Sequence, residues 1–278
     1  MTTSTTQAER AQRFRALHDG AELLLLPNAW DPMTAKIFAA AGFAAIATTS
    51  AGVAEALGSN DGEHTPLDLI VAATGRIVAA VDVPVTADIE AGFGATAHDV
   101  GETVRRIIGA GAVGINLEDV IYPDERLYEL SEAARRVTAA RRAAEAEGIP
   151  LYINARTDVF LLRVGEPGDR LAESLRRAAA FIDAGASGIF VPMVADNATI
   201  AELAAQIAAP LNVLARPGLP PRAELRRLGV RRVSLGSSAM RATLAYLRAL
   251  AADVRDSPGF GFLDRPATPY PSIPSGAN

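Results

Sequence analysis

The sequence predicts an α/β protein whose 278 residues form a (β/α)8 barrel of the TIM type. Short, continuously apolar runs alternate along the chain with longer segments in which apolar residues recur about every 3.6 positions. Continuous apolar runs are typical of parallel strands that helices cover on both faces. Eight strand–helix units within about 235 residues match this barrel in both number and size.

The predicted elements follow one another in a regular order. The strands are predicted at Leu23–Leu26, Ala44–Thr48, Val83–Ala87, Val113–Leu117, Leu151–Ala155, Gly188–Val191, Leu211–Leu214 and Arg232–Leu235. The clearest helices are predicted at Pro66–Ala80, Ala97–Gly109, Ser131–Glu147, Asp169–Ala184 and Thr199–Ala208. Gly111, Gly148 and Gly185 stand just before strands, where a left-handed residue commonly ends a helix.

The main alternative fold is an open, doubly wound sheet. A Gly-x-Gly-x-x-Gly turn after the first strand would favour it, but Pro27-Asn28-Ala29-Trp30-Asp31 stands there instead. Residues 1–255 are therefore expected to form a single barrel domain that includes a C-terminal helix. Residues 256–278 contain five prolines and are expected to form an arm or a disordered tail.

Composition excludes several kinds of chemistry. The chain has no cysteine, which removes thiolate nucleophiles and cysteine metal sites, and only Lys36 could form a Schiff base. Lys36 is expected inside a helix, and His18 and His98 on helix surfaces. A net charge of −5 argues against nucleic-acid binding, and no signal peptide or membrane-spanning segment is evident. A soluble, cytoplasmic protein that acts on a small molecule is expected.

Three acidic residues follow two neighbouring predicted strands. Asp88 and Glu90 come after Val83–Ala87, and Glu118 comes after Val113–Leu117. Catalytic groups of this barrel lie at the C-terminal ends of the strands, so these carboxylates should converge at one rim. Crowded carboxylates require neutralisation, and an all-oxygen set suits Mg²⁺ or Mn²⁺ better than zinc. The alternative is that these acids pair with arginines or cap helices.

Two further features could bind an anionic substrate. Arg156 closes the fifth predicted strand, and its guanidinium could hold a carboxylate through two hydrogen bonds. The alternative is a salt bridge to Asp158 or to the acids after the fourth strand. The turn Ser50-Ala51-Gly52 could present backbone N–H groups to an anion, and its alternative is a plain tight turn.

Five segments together resemble one protein family. Asp88-Ile-Glu-Ala-Gly-Phe-Gly94 follows the pattern D-x-D-x-G-[YF]-G, with glutamate at the second acidic position. The other segments are Ser50-Ala-Gly52, Gly58-Ser-Asn-Asp61, Glu118-Asp119 and Ile153-Asn-Ala-Arg-Thr-Asp158. In this order they resemble the phosphoenolpyruvate mutase/isocitrate lyase superfamily, and the resemblance covers roughly residues 20–250.

This resemblance implies a site and a chemistry. Mg²⁺ would be bound, mostly through water, by Asp61, Asp88, Glu90 and Glu118. A 2-oxo or 2-hydroxy carboxylate would chelate the metal next to Asp88, with its carboxylate held by Arg156 and the amides of Ser50, Ala51 and Gly52. Asp61, Glu118 and Arg156 would be the catalytic residues. The metal would stabilise the enolate formed when a C–C or P–C bond breaks. The resemblance also implies a homo-oligomer, a tetramer or a dimer, in which copies exchange a C-terminal helix.

The segment after the fourth strand departs from the family. Isocitrate and methylisocitrate lyases carry a Lys-Arg-Cys-Gly-His loop there, and phosphoenolpyruvate mutases a longer loop with lysine and asparagine. Val120–Leu130 is short and contains no cysteine, histidine, lysine or asparagine. The resemblance thus implies an intact metal site beside a replaced segment at the position that selects the reaction.

Three functions remain open at this point. The first is a Mg²⁺-dependent lyase that cleaves a C–C bond, with oxaloacetate decarboxylation as one case, because solvent can protonate the enolate there. Tyr122 or Glu125 could assist if the short segment folds over the site. The second is P–C bond chemistry, and the third is a non-catalytic barrel that binds a keto acid.

Overall fold

The computed structural model describes residues 5–261, and within them nine strands form one parallel sheet. With two further short strands, the described residues contain eleven strands. In chain order they are β1 (Leu24–Leu26), β2 (Asn28–Ala29), β3 (Ile46–Thr48), β4 (Val85–Asp88), β5 (Gly114–Glu118), β6 (Val120–Ile121), β7 (Arg126–Leu127), β8 (Tyr152–Arg156), β9 (Gly188–Val191), β10 (Leu211–Leu214) and β11 (Arg232–Ser234). Strands β6 and β7 are separate from the sheet and pair with each other as an antiparallel hairpin.

The sheet closes on itself at its first strand. β1 pairs in parallel with β11, and β2 pairs in parallel with β3. Only Pro27 separates β1 from β2, and proline has no N–H to donate to a strand ladder. β1 and β2 are therefore two halves of one strand, and eight strand positions surround the axis. The predicted (β/α)8 barrel is confirmed.

The strands form where they were predicted because their residues are buried on both faces. Every residue of β3, β5 and β9 is buried. Side chains of β5, β8 and β9 belong to the largest apolar cluster, together with residues of the surrounding helices. A strand enclosed in this way cannot alternate polar and apolar residues, which explains the continuous apolar runs.

Helices surround the sheet. They are α1 (Gln7–Asp19), α2 (Pro32–Ala40), α3 (Ser50–Ala56), α4 (Leu67–Ala79), α5 (Ala97–Gly109), α6 (Leu130–Ala146), α7 (Arg170–Asp183), α8 (Asn197–Gln206), α9 (Arg222–Arg227) and α10 (Ser238–Asp256). Gly111, Gly148 and Gly185 follow α5, α6 and α7 with φ angles of 92°, 68° and 103°. These angles confirm the left-handed ends that were predicted there.

Helix α1 covers the end of the barrel where the strands begin. Its Phe14 belongs to a buried cluster with Leu24 and Tyr152, the first residues of β1 and β8. His18 is only 1% exposed, and its ring stacks on Tyr152 with 3.8 Å between ring centroids. The expectation that His18 lies on a helix surface is therefore wrong, because α1 turns this residue toward the barrel.

The chain after the barrel continues as α10, which ends at Asp256. From residue 262 onward, the arm or tail predicted for residues 256–278 lies outside the described residues. Across residues 5–261, no helix has both the length and the apolar character needed to cross a membrane.

Candidate active site

A small cavity opens where the strands of the barrel end. Its volume is about 130 Å³. Among the residues lining it are Ser50, Ala51, Asp61, Asp88 and Arg156. Residues that the sequence places on four separate segments are thus brought to one chamber. Apolar side chains of Leu161, Phe190 and Leu214 complete its wall, and no pattern in the sequence marks them as site residues.

Asp88 is the last residue of β4 and faces this cavity. Its backbone N–H donates to Thr48 Oγ1 at 2.8 Å, and its Oδ2 accepts a hydrogen bond from the Ser50 N–H at 3.3 Å. The other carboxylate oxygen, Oδ1, is buried and has no hydrogen-bond partner among the described residues. An oxygen of this kind is costly to bury unless a cation, a water molecule or a ligand satisfies it.

Asp61 shares the cavity with Asp88. Burial raises the pKa of the Asp61 carboxyl, and the nearby charge of Asp88 raises it further. Two carboxylates in such a position repel each other, and a bound cation would relieve that repulsion. The pair provides the acidic wall of the chamber.

Only part of the Ser50-Ala51-Gly52 turn reaches the cavity. Ser50 and Ala51 line it and begin helix α3, while the N–H of Gly52 donates to the side chain of Thr49 at 3.4 Å. A Cβ on Gly52 would lie 3.0 Å from the Cβ of Trp30 and 3.1 Å from the sulfur of Met240. Gly52 is therefore placed for close packing rather than at the cavity surface.

Glu90 lies behind the cavity wall. Its Oε2 accepts hydrogen bonds from the backbone N–H groups of Gly62 and Glu63, at 2.7 and 2.5 Å. In return, Glu63 Oε1 accepts from the N–H of Phe93 at 2.6 Å. Burial raises the pKa of Glu90 to about 8, with a further contribution from Asp61. The Glu90 side chain thus holds the loop that carries Asp61 through hydrogen bonds, a role that the sequence did not indicate.

Glu118 and Arg156 stand side by side on β5 and β8. They are partners in the strand register, and an ion pair of 2.6 Å joins Arg156 Nη1 to Glu118 Oε2. Arg156 also donates two hydrogen bonds to Asp158, at 2.6 and 2.8 Å. Both salt bridges that were considered as alternatives are thus present. Because a guanidinium has five N–H groups, Arg156 keeps donors for a ligand in the cavity that it lines.

Burial and neighbouring charges shift the pKa values of Arg156 and Glu118. Burial would lower the pKa of Arg156, but the carboxylates of Asp158 and Glu118 raise it well above its ordinary value. Burial raises the pKa of Glu118 despite the neighbouring Arg156. The Tyr122 hydroxyl, from the β6–β7 hairpin, donates a hydrogen bond to Glu118 Oε1. The segment that departs from the family therefore contacts the site through Tyr122, whereas Glu125 is exposed at the hairpin tip.

The residues present fit a hard divalent cation. All the candidate donors are carboxylate oxygens, which Mg²⁺ and Mn²⁺ prefer, and Asp88 Oδ1 is an unpartnered oxygen in the chamber. In residues 5–261, no three acidic or histidine side chains converge closely enough to form a ready-made cluster. This arrangement suits a cation that contacts few carboxylates directly and reaches the others through water.

Comparisons with known proteins match this description. Residues 14–255 match the family described as phosphoenolpyruvate phosphomutase. The chain is 32% identical over 259 residues to an oxaloacetate decarboxylase of Pseudomonas aeruginosa, with 88% of each chain covered. It also resembles a solved structure of a candidate phosphonomutase from Burkholderia cenocepacia J2315, with 42% identity and a TM-score of 0.85 over 88% of this chain and 99% of that one.

A second solved structure was determined with ligands. It is a phosphonopyruvate hydrolase in complex with oxalate and Mg²⁺, with 25% identity and a TM-score of 0.83 over 94% of this chain and 92% of that one. The similarities extend over the whole barrel, and they include proteins named for C–C and for P–C bond chemistry.

Proposed function

The chain belongs to the phosphoenolpyruvate mutase/isocitrate lyase superfamily, and we propose that it is a Mg²⁺- or Mn²⁺-dependent lyase. Its substrate would be a 2-oxo or 2-hydroxy carboxylate in which the bond next to the oxygen-bearing carbon breaks. The observation that carries this proposal is the shared chamber of about 130 Å³, which is lined by the acids Asp61 and Asp88 and by the guanidinium of Arg156. A cation and a substrate carboxylate could be bound there side by side.

Each group of this chamber has a distinct part in the proposed reaction. Asp88 would hold the cation, with Asp61, Glu90 and Glu118 as its outer acidic surroundings. Bound there, the cation would supply Lewis-acid stabilisation of the negative charge that develops on a substrate oxygen. Arg156 would bind the substrate carboxylate, in an orientation fixed by Asp158 and Glu118.

Decarboxylation of oxaloacetate is the case that requires least from the β6–β7 hairpin. The C–C bond to the leaving carboxylate breaks and CO2 departs. The electron pair of the broken bond stays on the remaining fragment as an enolate, which a proton from solvent converts to pyruvate. No thiol or imidazole donor is needed at the hairpin, and the Tyr122 hydroxyl is already bonded to Glu118. The name of the Pseudomonas aeruginosa relative supports this case.

The proposal is tested by assaying the purified protein on a panel of 2-oxo and 2-hydroxy di- and tricarboxylates. We expect turnover of at least one of them with Mg²⁺ and loss of turnover after chelation. The variant D88N should lose activity, because it removes the negative charge of a carboxylate whose Oδ1 has no hydrogen-bond partner among the described residues. D82N, at an exposed acid remote from the cavity, is the matched control and should retain it. Turnover that persists without metal, or in D88N, would contradict the proposal.

P–C bond cleavage is the second candidate, and the similarity to phosphonopyruvate hydrolase and to the Burkholderia cenocepacia protein favours it. Incubation with phosphonopyruvate, followed by ³¹P NMR, distinguishes it from C–C cleavage. Phosphate release or a rearranged phosphonate would support this second candidate. Stabilisation by a 2-oxo acid without any product would instead indicate a keto-acid-binding barrel.

A further inference from the structure

The floor of the cavity is formed by polar side chains from inside the barrel. Asn28, Asn116 and Ser234 all line the cavity, and each is at most 3% exposed. A polar group buried in this way normally has its hydrogen-bonding atoms satisfied. The partners of these three side chains therefore show which group is left for a ligand.

Two of the three side chains bond to the protein through both a donor and an acceptor. Asn28 donates to the Thr48 carbonyl at 2.8 Å, and its Oδ1 accepts from the N–H groups of Leu235 and Gly236. The Ser234 hydroxyl accepts from Asn212 Nδ2 at 3.1 Å and donates to Asn212 Oδ1 at 3.3 Å. The Ser234 hydroxyl therefore keeps no donor for a bound molecule, whereas the Asn28 nitrogen is already held by its bond to Thr48 and keeps one further N–H.

Asn116 is different because only its oxygen is engaged. Oδ1 accepts hydrogen bonds from Asn154 Nδ2 at 2.8 Å and from Arg232 Nη2 at 3.1 Å. Rotating the amide by 180° would place its N–H groups against these two donors, so the orientation is fixed. The Nδ2 group has no acceptor among the described residues and is left to face the cavity that Asn116 lines.

Arg232 is the residue beneath this floor. Its side chain is 0% exposed, its Nε donates to Ser234 Oγ at 3.0 Å, and no described carboxylate lies within ion-pair distance. Burial lowers the pKa of Arg232 to about 10, so the guanidinium stays charged at neutral pH. A positive charge without a paired carboxylate therefore lies under a chamber that we expect to receive an anion.

We propose that the Asn116 side-chain amide donates a hydrogen bond to a carboxylate or enolate oxygen of the bound ligand, and that Arg232 is the positioning residue that fixes this amide. The inference rests on the proposed function for the chemical class of the ligand. Asp88 and Asn116 are partners in the strand register, as are Asn116 and Asn154. The N–H donor thus lies beside Asp88, and it selects ligands with an oxygen at that position.

Oxalate with Mg²⁺ is a suitable probe, because it is a planar dicarboxylate and its binding requires no turnover. Isothermal titration calorimetry on the full-length protein measures its Kd. We expect N116L to weaken oxalate binding about tenfold to a hundredfold, as for a lost hydrogen bond to a charged acceptor. N197L is the control, because Asn197 is an exposed asparagine on α8 that does not line the cavity, and its Kd should match that of the wild type.

Arg232 is tested through its coupling to Asn116. R232M should weaken oxalate binding, R232K should restore part of the loss, and N116L/R232M should bind no more weakly than the weaker single variant. Additive losses would overturn the positioning role of Arg232. If R232M fails to fold in a thermal-unfolding check, N116D provides a second test, because it keeps the shape but presents an oxygen, and it should weaken binding at least as much as N116L.

The outcomes also separate this inference from the proposed function. A wild-type protein that binds no oxalate, or an N116L variant with unchanged Kd, overturns the inference. A wild-type protein that binds oxalate through Asn116 but turns over no member of the substrate panel contradicts the lyase proposal alone.

Discussion

His18 is a neutral imidazole held at the base of the barrel. Its Nδ1 lies 2.9 Å from the Phe14 carbonyl, and its Nε2 has no partner among the described residues. Burial lowers the pKa of His18 to about 3, and the charge of Arg232 contributes to this decrease. Protonation in the folded state would leave a cation among apolar and aromatic groups, so the residue links stability to pH.

The sign of this link follows from the two pKa values. In the unfolded chain a histidine binds a proton below a pH of about 6.5, whereas folded His18 does not until about 3. Its contribution to stability is therefore complete above pH ~6.5 and is lost as the pH falls, by up to about 1.4 kcal/mol per pH unit. We expect H18F to lose this dependence between roughly pH 6 and 4, as measured by urea denaturation.

The exposed His98 provides the control for this experiment. Its side chain is 80% exposed, so H98Q should keep the pH dependence of the wild type. If the free energies of unfolding of the wild type and H18F change in parallel with pH, a buried neutral His18 is contradicted.

At the level of single residues, the sequence indicates which side chains stand at strand ends but not which way a loop turns them. Arg156 and Glu118 were expected near each other, and the register of β5 and β8 places them side by side. Glu90 could not be placed in this way, because its φ of 49° and its bonds to Gly62 and Glu63 depend on the path of a distant loop. No local sequence pattern encodes such a contact.

At the level of elements, the turn between β4 and α5 holds the acidic residues in place. Its backbone has positive φ angles at Glu90 and Phe93, and Gly92 has a φ of 102°. A Cβ on Gly92 would lie 2.7 Å from a methyl carbon of Val100 on α5. The turn is thus packed directly against the helix that follows it, and only glycine fits at this position.

Substitution of Gly92 should therefore lower the free energy of unfolding by more than the left-handed backbone angle alone would. We expect G92A to lower the free energy of unfolding by about 2–4 kcal/mol, from a left-handed backbone and an overpacked contact. G42A is the matched control: Gly42 has a φ of 87° and no atom within 4 Å of the added Cβ, so about 1–2 kcal/mol is expected. Equal losses of unfolding free energy in G92A and G42A, measured by urea denaturation, would contradict the packing argument.

The elements that the sequence predicted are those with long, uniform patterns. The strands that became β4, β5 and β8 were placed within two residues, because each is a continuous apolar run enclosed by helices. The β6–β7 hairpin was not predicted, because two-residue strands are too short to show a period. The split of the first strand at Pro27 was missed for the same reason.

At the level of the whole molecule, helix α10 carries an apolar stripe that the barrel covers only at its first residue. Met240, Leu247 and Val254 recur every seven residues along this helix, so they share one face. Only Met240 is buried, against Gly52 beside the cavity, while Leu247 and Val254 are 54% and 49% exposed. Exposed apolar stripes of this kind mark interaction sites.

We propose that a second copy of this chain covers the stripe, in keeping with the homo-oligomer that the family resemblance implies. Size-exclusion chromatography with light scattering should give the mass of a dimer or a tetramer for the wild type. L247E/V254E places two charges on the stripe and should give a monomer, while A249E, on the opposite face of the helix, should not. Because Met240 anchors the same helix beside Ser237 at the cavity wall, the monomeric variant should also bind oxalate more weakly. A wild-type protein that is monomeric at micromolar concentration would contradict the proposed assembly, and an assembly unaffected by L247E/V254E would contradict this interface.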